Sequence, residues 1–162
     1  METLFFKKND DTYKKIKELI KDQGYVTCRE KINRIIITTS TTDSSFGFSI
    51  IGKRLSSGRR SPRSFSERYT LNGFIVCTED EIHNDTLHIS LLCSLKGLKM
   101  GSILLEKVID YAKDKGYKAL SLYALSEEKL IKWYEDNGFI RGKNKNFTYD
   151  GKFMSIHMYK FL

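Results

Sequence analysis

A short segment near the middle of the chain changes from strand periodicity to helical periodicity within six residues. Leu87 to Cys93 is an apolar run with alternation, which is typical of a half-buried strand. From Gly101 onward the apolar residues recur with helical spacing, at Leu104, Val108, Tyr111 and Ala112. The sequence KGLKMG, residues 96–101, therefore connects a strand directly to a helix.

This connecting turn has the properties of an anion-binding site. The first amides of a helix have no partner within the helix, and the helix dipole makes them attractive to phosphate. Gly97 and Gly101 allow a ligand to approach the backbone closely, and Lys96 and Lys99 add positive charge. Because similar turns also begin Rossmann-like and P-loop units, a second segment is needed to decide among these folds.

The second informative segment is SEEKLIKWYEDNGF, residues 126–139. Its apolar side chains Leu130, Ile131 and Tyr134 lie on one face of a predicted helix. Glu127 and Glu128 suit the first turn of that helix, because carboxylates there complement the helix dipole.

The turn resembles the first signature of the GNAT superfamily of N-acetyltransferases, Q/R-x-x-G-x-G/A. Lys96 takes the Q/R place and Gly101 the last place, while Lys99 stands where the family has its middle glycine.

The second segment resembles the second signature of the same superfamily, N-x-x-A-x-x-x-Y-x-x-x-G-F. Tyr134, Gly138 and Phe139 match in identity and spacing, while Glu127 and Leu130 replace the Asn and the Ala. The resemblance covers Thr70 to Leu162, and it extends to the N-terminal part only in the order of the elements.

The resemblance implies a GNAT-like α/β fold: a mixed, mostly antiparallel sheet with a splayed central pair of parallel strands flanked by helices. It also implies acetyl-coenzyme A as cosubstrate, without a metal, and an amine as acceptor. The residues that it assigns to the coenzyme are Leu91, Leu92 and Cys93 for pantetheine, Lys96, Gly97, Leu98, Lys99, Met100, Gly101 and Ser102 for the pyrophosphate, and Glu127 and Tyr134 beside them.

Three residues are candidates for proton transfer. In the family, the tyrosine at the place of Tyr134 donates a proton to the departing thiolate, and a phenol stays protonated near neutral pH. The acceptor amine needs a general base. Asp85 occupies the start of the central strand, where some relatives carry a carboxylate, and His88 is the alternative base because its intrinsic pKa is suitable.

The charge of the chain leaves a second class of function open. A net charge of +8 favours anionic partners, which include nucleic acid as well as coenzyme A. The segment from Gly52 to Arg68 is a basic, serine-rich loop, and it contains few aromatic side chains for stacking on bases. We therefore favour the enzyme over a nucleic-acid-binding protein, and we also keep a catalytically weak GNAT-fold binding module as a rival.

Length and composition set the remaining expectations. The 162 residues predict a single domain over residues 1–162, a monomer or homodimer, and the absence of a membrane span predicts an intracellular, cytoplasmic protein. Cys28, Cys77 and Cys93 are odd in number, widely spaced and without metal-ligand spacing, which argues against a disulfide framework or a zinc site. Burial of the last two as small apolar side chains is expected.

Periodicity and turn residues place the other elements. A helix is expected over Thr12 to Gln23, with Gly24 as its stop, and an Asp150-Gly151 turn is expected before the last strand. The predicted further strands are Glu2 to Lys8, Arg34 to Thr39, Phe46 to Lys53, Thr70 to Thr78, Lys118 to Leu125, Phe139 to Gly142 (followed by an Asn-rich loop) and Phe153 to Phe161.

Overall fold

Strands and helices alternate along most of the chain. The computed structural model describes residues 1–27, 45–55, 58, 61, 64–80 and 82–162. Within these residues the elements are β1 (Glu2–Lys7), α1 (Asp11–Thr27), β2 (Phe46–Lys53), α2 (Phe65–Arg68), β3 (Tyr69–Glu79), β4 (Thr86–Ser94), α3 (Met100–Asp114), β5 (Ala119–Leu125), α4 (Glu128–Asp136), β6 (Ile140–Phe147) and β7 (Phe153–Phe161).

The strands have the order β1-β2-β3-β4-β5-β7-β6. The pairs β1–β2, β2–β3, β5–β7 and β6–β7 are antiparallel, and β4–β5 is parallel. This arrangement confirms the predicted mixed, mostly antiparallel sheet. The chain divides into two compact units, Met1–Thr78 with Leu91–Val108 and Glu79–Ser90 with Ile109–Leu162, and β3, β4 and α3 contribute residues to both. The single domain stays a prediction.

The parallel pairing between β4 and β5 is short. It begins at Thr86 with Ala119 and ends at Ile89 with Leu122, whereas β4 continues to Ser94. The C-terminal half of β4 therefore lies outside the β4–β5 register.

The first unit is built on an amphipathic helix. Ile16, Leu19 and Ile20 of α1 are buried in one cluster with Phe74 and Val76 of β3. The predicted stop at Gly24 is wrong, because α1 continues to Thr27.

Tertiary contacts explain this extension of α1. The Gln23 side chain donates hydrogen bonds to the carbonyl oxygens of Ser66 (3.2 Å) and Tyr69 (3.0 Å) and accepts one from the amide of Leu71 (3.0 Å). Such anchoring outweighs the cost of about 1 kcal/mol for a glycine inside a helix.

The second unit ends in the hairpin of β6 and β7. The predicted Asp150-Gly151 turn is confirmed: Gly151 has a φ of 81°, and the Thr148 amide donates to the Lys152 carbonyl at 2.8 Å. The predicted end of β6 at Gly142 is wrong, because the Asn-rich stretch stays paired with β7 as far as Phe147, through two register shifts. Periodicity could not find this extension of β6, because almost all of the strand's side chains are exposed.

One cysteine prediction is corrected by the structure. Cys77 is buried and free, as expected, and burial raises the pKa of its thiol. Cys93 is buried and disulfide-bonded. Spacing in sequence does not report which thiols are close in space, so it could not reveal this bond.

Two other predictions concern positions that the structure does not describe. The strand over Arg34 to Thr39 lies outside the described residues, as does part of the basic loop from Gly52 to Arg68. None of the helices in the described residues has the length and apolar character needed to cross a bilayer.

Gly73 brings β3 close to both β4 and α3. A Cβ atom at this position would lie 3.0 Å from the carbonyl oxygen of Cys93 and 3.0 Å from Cδ1 of Leu104. The backbone carbonyl cannot move without shifting β4. Gly73 therefore permits the close approach of β3 to the strand and the helix that border the KGLKMG turn.

We expect Gly73→Ala to lower the free energy of unfolding by about 1–3 kcal/mol, because overpacking of a close-packed site forces backbone shifts. Chemical denaturation measures the change. Gly58→Ala is the matched control, since nothing lies within 4 Å of a Cβ there. Equal stability of the two variants would contradict the close approach.

Candidate active site

The turn between β4 and α3 has two residues in the left-handed region. Gly97 has a φ of 86° and Lys99 a φ of 53°. Helix α3 begins at Met100, and its first hydrogen bond runs from the Ile103 amide to the Lys99 carbonyl at 3.2 Å. The place where Lys99 replaces the family's glycine thus keeps a conformation that glycine adopts most easily.

This geometry leaves a set of backbone donors at the start of α3. The amides of Met100, Gly101 and Ser102 precede the first bond of the helix and so have no acceptor within it. The first turn contains no acidic residue. The Met100 side chain is 2% exposed and packs in the core, whereas the side chains of Lys96 and Lys99 are exposed. Amides of this kind at the start of a helix favour an anionic ligand.

We expect Lys99→Gly to raise the free energy of unfolding by roughly 0.5–1 kcal/mol, because glycine relieves the left-handed strain at little steric cost. Gly97→Ala is the paired variant. Nothing lies within 4 Å of a Cβ at Gly97, so the variant adds strain alone and should lower stability by about 1 kcal/mol. Thermal denaturation of both variants measures these changes in stability. A loss of stability in Lys99→Gly would mean that the lysine side chain holds the turn.

The residues assigned to pantetheine lie in the C-terminal half of β4. Leu91 and Leu92 are half-buried and Cys93 is buried. All three lie beyond the last β4–β5 pair at Ile89.

Tyr134 lies on the buried face of α4. Its side chain is 7% exposed, and its ring contacts those of Trp133 and Phe139, with centroids 4.9 and 5.5 Å away. Gly138 has a φ of 86° and reverses the chain, so that the Phe139 amide donates to the Tyr134 carbonyl at 3.0 Å. The spacing Y-x-x-x-G-F thus marks the end of a helix, after which the chain reverses direction and the phenylalanine ring contacts the tyrosine ring.

Burial raises the pKa of Tyr134 to about 12. The phenol therefore keeps its proton throughout the physiological pH range. Glu127, at the N-cap of α4, is exposed and makes no side-chain capping bond.

His88 and Ser121 form a side-chain pair. The sequence identifies His88 as a candidate base but does not reveal its partner. His88 is half-buried on β4, and its partner in the parallel register is the buried Ser121 of β5. The Nδ1 atom of His88 and the Oγ atom of Ser121 are 2.9 Å apart, at hydrogen-bond distance. Only the strand register reveals this pair, and the sequence does not encode that register in any local motif.

His88 belongs to a row of neighbouring rings that extends over three strands. Its ring lies edge-on to Tyr123 of β5 at 6.2 Å, and Tyr123 lies 5.2 Å from His157 of β7. Burial lowers the pKa of both imidazoles, and the charge of Asp80 partly opposes this effect. Both rings are therefore mainly neutral at pH 7.

These lowered pKa values predict a loss of stability in acid. Below the ordinary histidine pKa of 6.5, the unfolded chain takes up protons at His88 and His157 while the folded chain does not. The free energy of unfolding should therefore fall from pH 6.5 down to the folded-state pKa values. Urea denaturation across this range measures it. The double variant with Asn at both positions should show a flatter profile, and an unchanged profile would contradict the burial effect.

Asp85 lies at the other candidate position for a base. It lines an open cavity of about 430 Å³ together with Glu79, Tyr111, Lys115 and Tyr117. The carboxylate is exposed, and the hydroxyl of Thr86 donates to it at 3.4 Å. No group of three or more His, Cys, Asp or Glu side chains among the described residues is arranged to hold a metal ion.

Comparison with known proteins places this arrangement in a structural class. No family model and no curated protein matches the sequence. Several solved structures are nevertheless similar over nearly the whole of both chains.

Three of these structures illustrate the similarity. An acetyltransferase of the GNAT family from Desulfovibrio desulfuricans has a TM-score of 0.62 and 11% identity, and the match covers 98% of each chain. The PaiA N-acetyltransferase of Thermoplasma acidophilum, solved with coenzyme A, has a TM-score of 0.57 and 16% identity over 100% of both chains. NAA60 of Arabidopsis thaliana, solved with a bisubstrate analogue, has a TM-score of 0.57 and 14% identity over 99% of both.

The mostly antiparallel seven-stranded sheet with its parallel β4–β5 pair matches the fold of these structures. The chain has the fold of the GNAT superfamily of N-acetyltransferases.

Proposed function

We propose that this chain is an acetyl-coenzyme A-dependent N-acetyltransferase that transfers the acetyl group directly to a primary amine. The observation that carries the proposal is the turn before α3, where Gly97 and Lys99 hold left-handed conformations and three amides have no helical acceptor. The fold similarity to proteins solved with coenzyme A supports it.

The coenzyme would be held mainly by backbone. Amides from Gly97 to Ser102 would bind the pyrophosphate, and the ammonium groups of Lys96 and Lys99 would add charge. The strand backbone at Leu91, Leu92 and Cys93 would pair with pantetheine. Leu98, Met100 and Gly101 would contribute to the pyrophosphate site as part of the turn. Glu127 is proposed near the coenzyme from its place in the second signature.

We assign the general base to His88 rather than to Asp85. Its ring is held by Ser121, and burial keeps it neutral near pH 7, so it has a lone pair that can take a proton. Asp85 is an exposed carboxylate, and carboxylates are in general weaker bases than a neutral imidazole.

Tyr134 would act at the sulfur atom. Its pKa of about 12 lies above the thiol value of about 8.5, so complete transfer of its proton to the thiolate is unfavourable. A hydrogen bond from the phenol to the developing thiolate is favourable, because it stabilises charge that exists only late in the reaction.

The reaction then follows from these roles. The neutral amine attacks the thioester carbon, the new C–N bond forms, and the C–S bond breaks. His88 accepts the proton that the amine nitrogen loses. The sulfur leaves as a thiolate hydrogen-bonded to Tyr134 and takes its proton from solvent. No covalent enzyme intermediate is required.

The test is release of free thiol when acetyl-coenzyme A is mixed with a panel of primary amines and N-terminal peptides. We expect thiol release that depends on both the enzyme and the amine, with an acetylated amine of the matching mass. Binding of acetyl-coenzyme A without thiol release for any amine would favour the rival of a GNAT-fold binding module.

A further inference from the structure

One face of the strands β5, β7 and β6 has no Lys, Arg, Asp or Glu at its paired positions. Residues that pair in register on neighbouring strands lie side by side on the same face of a sheet, so the register assigns each of them to a face. We name this surface the uncharged face. Its positions are Ala119, Ser121, Tyr123 and Leu125 of β5, Ser155, His157, Tyr159 and Phe161 of β7, and Ile140 and Asn146 of β6.

The cations at paired positions of the same strands lie on the opposite face. They are Lys160 of β7 and Arg141 and Lys145 of β6, which pair with Leu120, Met158 and Ile156. The imidazole of His157 is mainly neutral at pH 7, because burial lowers its pKa. A chain with a net charge of +8 therefore keeps one continuous surface of its sheet free of charge.

Large apolar side chains on the uncharged face are open to solvent. The exposed fractions are 45% for Tyr123, 41% for Leu125, 50% for Ile140 and 70% for Phe161. Ring contacts make the patch continuous, with centroid distances of 5.2 Å from Tyr123 to His157, 6.1 Å from His157 to Tyr159 and 5.4 Å from Tyr159 to Phe161. Apolar patches of this kind on a folded chain mark interaction sites.

The area of the patch matches the apolar part of a dimer interface. With about 200 Å² for a fully exposed aromatic side chain, the four exposed side chains present on the order of 400 Å². Stable interfaces bury about 800 Å² per partner, of which roughly 60% is apolar, so they need about 480 Å² of apolar surface. The half-buried rings of His157 and Tyr159 add to the patch and bring it close to this value.

The edge of the sheet is protected against pairing with another copy. Strand β6 is the last strand in the sheet order, and its Lys143 and Lys145 are exposed. Pairing of two such edges would bring like charges together. Packing of two uncharged faces against each other, as in a sandwich of two sheets, avoids that contact.

The charge distribution also selects the partner. Nucleic acid, an acidic protein or an anionic bilayer would need cations at the contact, and the paired cations of these strands lie on the other face. A second copy of this chain fits the uncharged face, because the contact desolvates no charged group and brings no like charges together. Two-fold symmetric dimers are also the commonest assemblies of identical chains.

We infer that the uncharged face is the interface of a two-fold symmetric homodimer, in which the sheets of two copies pack face to face. His88 lies beside this face on β4, in register with Ser121, so the second copy would border the proposed base. The dimer itself does not rest on the proposed function.

Sedimentation equilibrium of the wild-type protein tests the dimer, over a concentration series that reaches about 100 μM. We expect a mass that approaches twice the chain mass of 18.8 kDa. Phe161→Lys and Ile140→Lys each place a cation in the contact on both copies, so each should raise the dissociation constant at least about tenfold. Both positions are exposed, and thermal melting checks that the variants are folded.

Leu55→Lys is the matched control. It adds the same charge at a side chain that is 97% exposed and lies outside these strands, so the dissociation constant should not change. A wild-type protein that keeps the mass of one chain throughout the series would overturn the inference. A dimer that tolerates both face variants, or that Leu55→Lys weakens equally, would overturn it as well.

Hydroxyl-radical footprinting needs no variant and locates the contact directly. We expect Tyr123 and Phe161 to be oxidised less in concentrated than in dilute wild-type protein, because the second copy covers them. Tyr149 is the internal control, since it is fully exposed in the turn between β6 and β7 and outside the uncharged face. Unchanged oxidation of Tyr123 and Phe161 while the mass doubles would place the contact elsewhere and overturn the inference.

The inference and the proposed function fail independently, because none of these measurements uses acetyl-coenzyme A or an amine. A protein that forms this dimer and acetylates no amine would lose the proposed function and keep the interface. An active protein that stays monomeric would keep the function and lose the interface.

Discussion

Tyr134→Phe should lower kcat for acetyl transfer about a hundredfold and leave the dissociation constant of acetyl-coenzyme A nearly unchanged. The substitution removes the phenol hydrogen bond that we assign to the departing thiolate, and such transition-state interactions contribute factors of about 10²–10⁴. The aromatic ring, which packs between Trp133 and Phe139, is retained. Steady-state kinetics and calorimetry measure the two quantities separately.

Tyr149→Phe is the matched control, because the Tyr149 side chain is fully exposed. It should leave kcat and affinity unchanged. A full kcat in Tyr134→Phe would show that the phenol takes no part in the departure of the thiolate. Equal losses in affinity and kcat would indicate a packing role for the ring on α4.

Ser102→Asp should weaken the binding of acetyl-coenzyme A at least tenfold, which corresponds to about 1.4 kcal/mol. A carboxylate in the first turn of α3 would repel a pyrophosphate bound to the same amides. The same carboxylate favours the helix dipole and should stabilise the folded protein by about 0.3–1 kcal/mol. The variant thus separates binding from folding, because the two effects have opposite signs.

Ser102→Asn supplies the matched control, since it has nearly the shape of aspartate without the charge. Its affinity should stay within about threefold of wild type, given the modest cost of a neutral side chain at this position. If both variants bind acetyl-coenzyme A as tightly as the wild type does, the phosphates lie elsewhere.

The central part of the fold could be predicted from the sequence because its signals are local. The strand before the turn, the glycines and the helix after it follow each other without interruption, and the predicted strand over Leu87 to Cys93 differs from β4 by one residue at each end. The Y-x-x-x-G-F segment is equally local, since Gly138 and Phe139 contact the helix that they follow.

The features that the sequence could not predict depend on contacts between distant segments. The length of α1 depends on Gln23 bonding to residues more than forty positions away, and the disulfide of Cys93 depends on proximity in space. The pairing of His88 with Ser121 requires the parallel register of β4 and β5. A single sequence carries no direct record of these partners.

Titration calorimetry of the wild-type protein with acetyl-coenzyme A is the most direct test of the account. We predict saturable binding at one site, which weakens in Ser102→Asp and persists in Tyr134→Phe. Absence of binding heat at millimolar coenzyme, at two temperatures, would contradict the assignment of the turn before α3 to the pyrophosphate and with it the proposed activity.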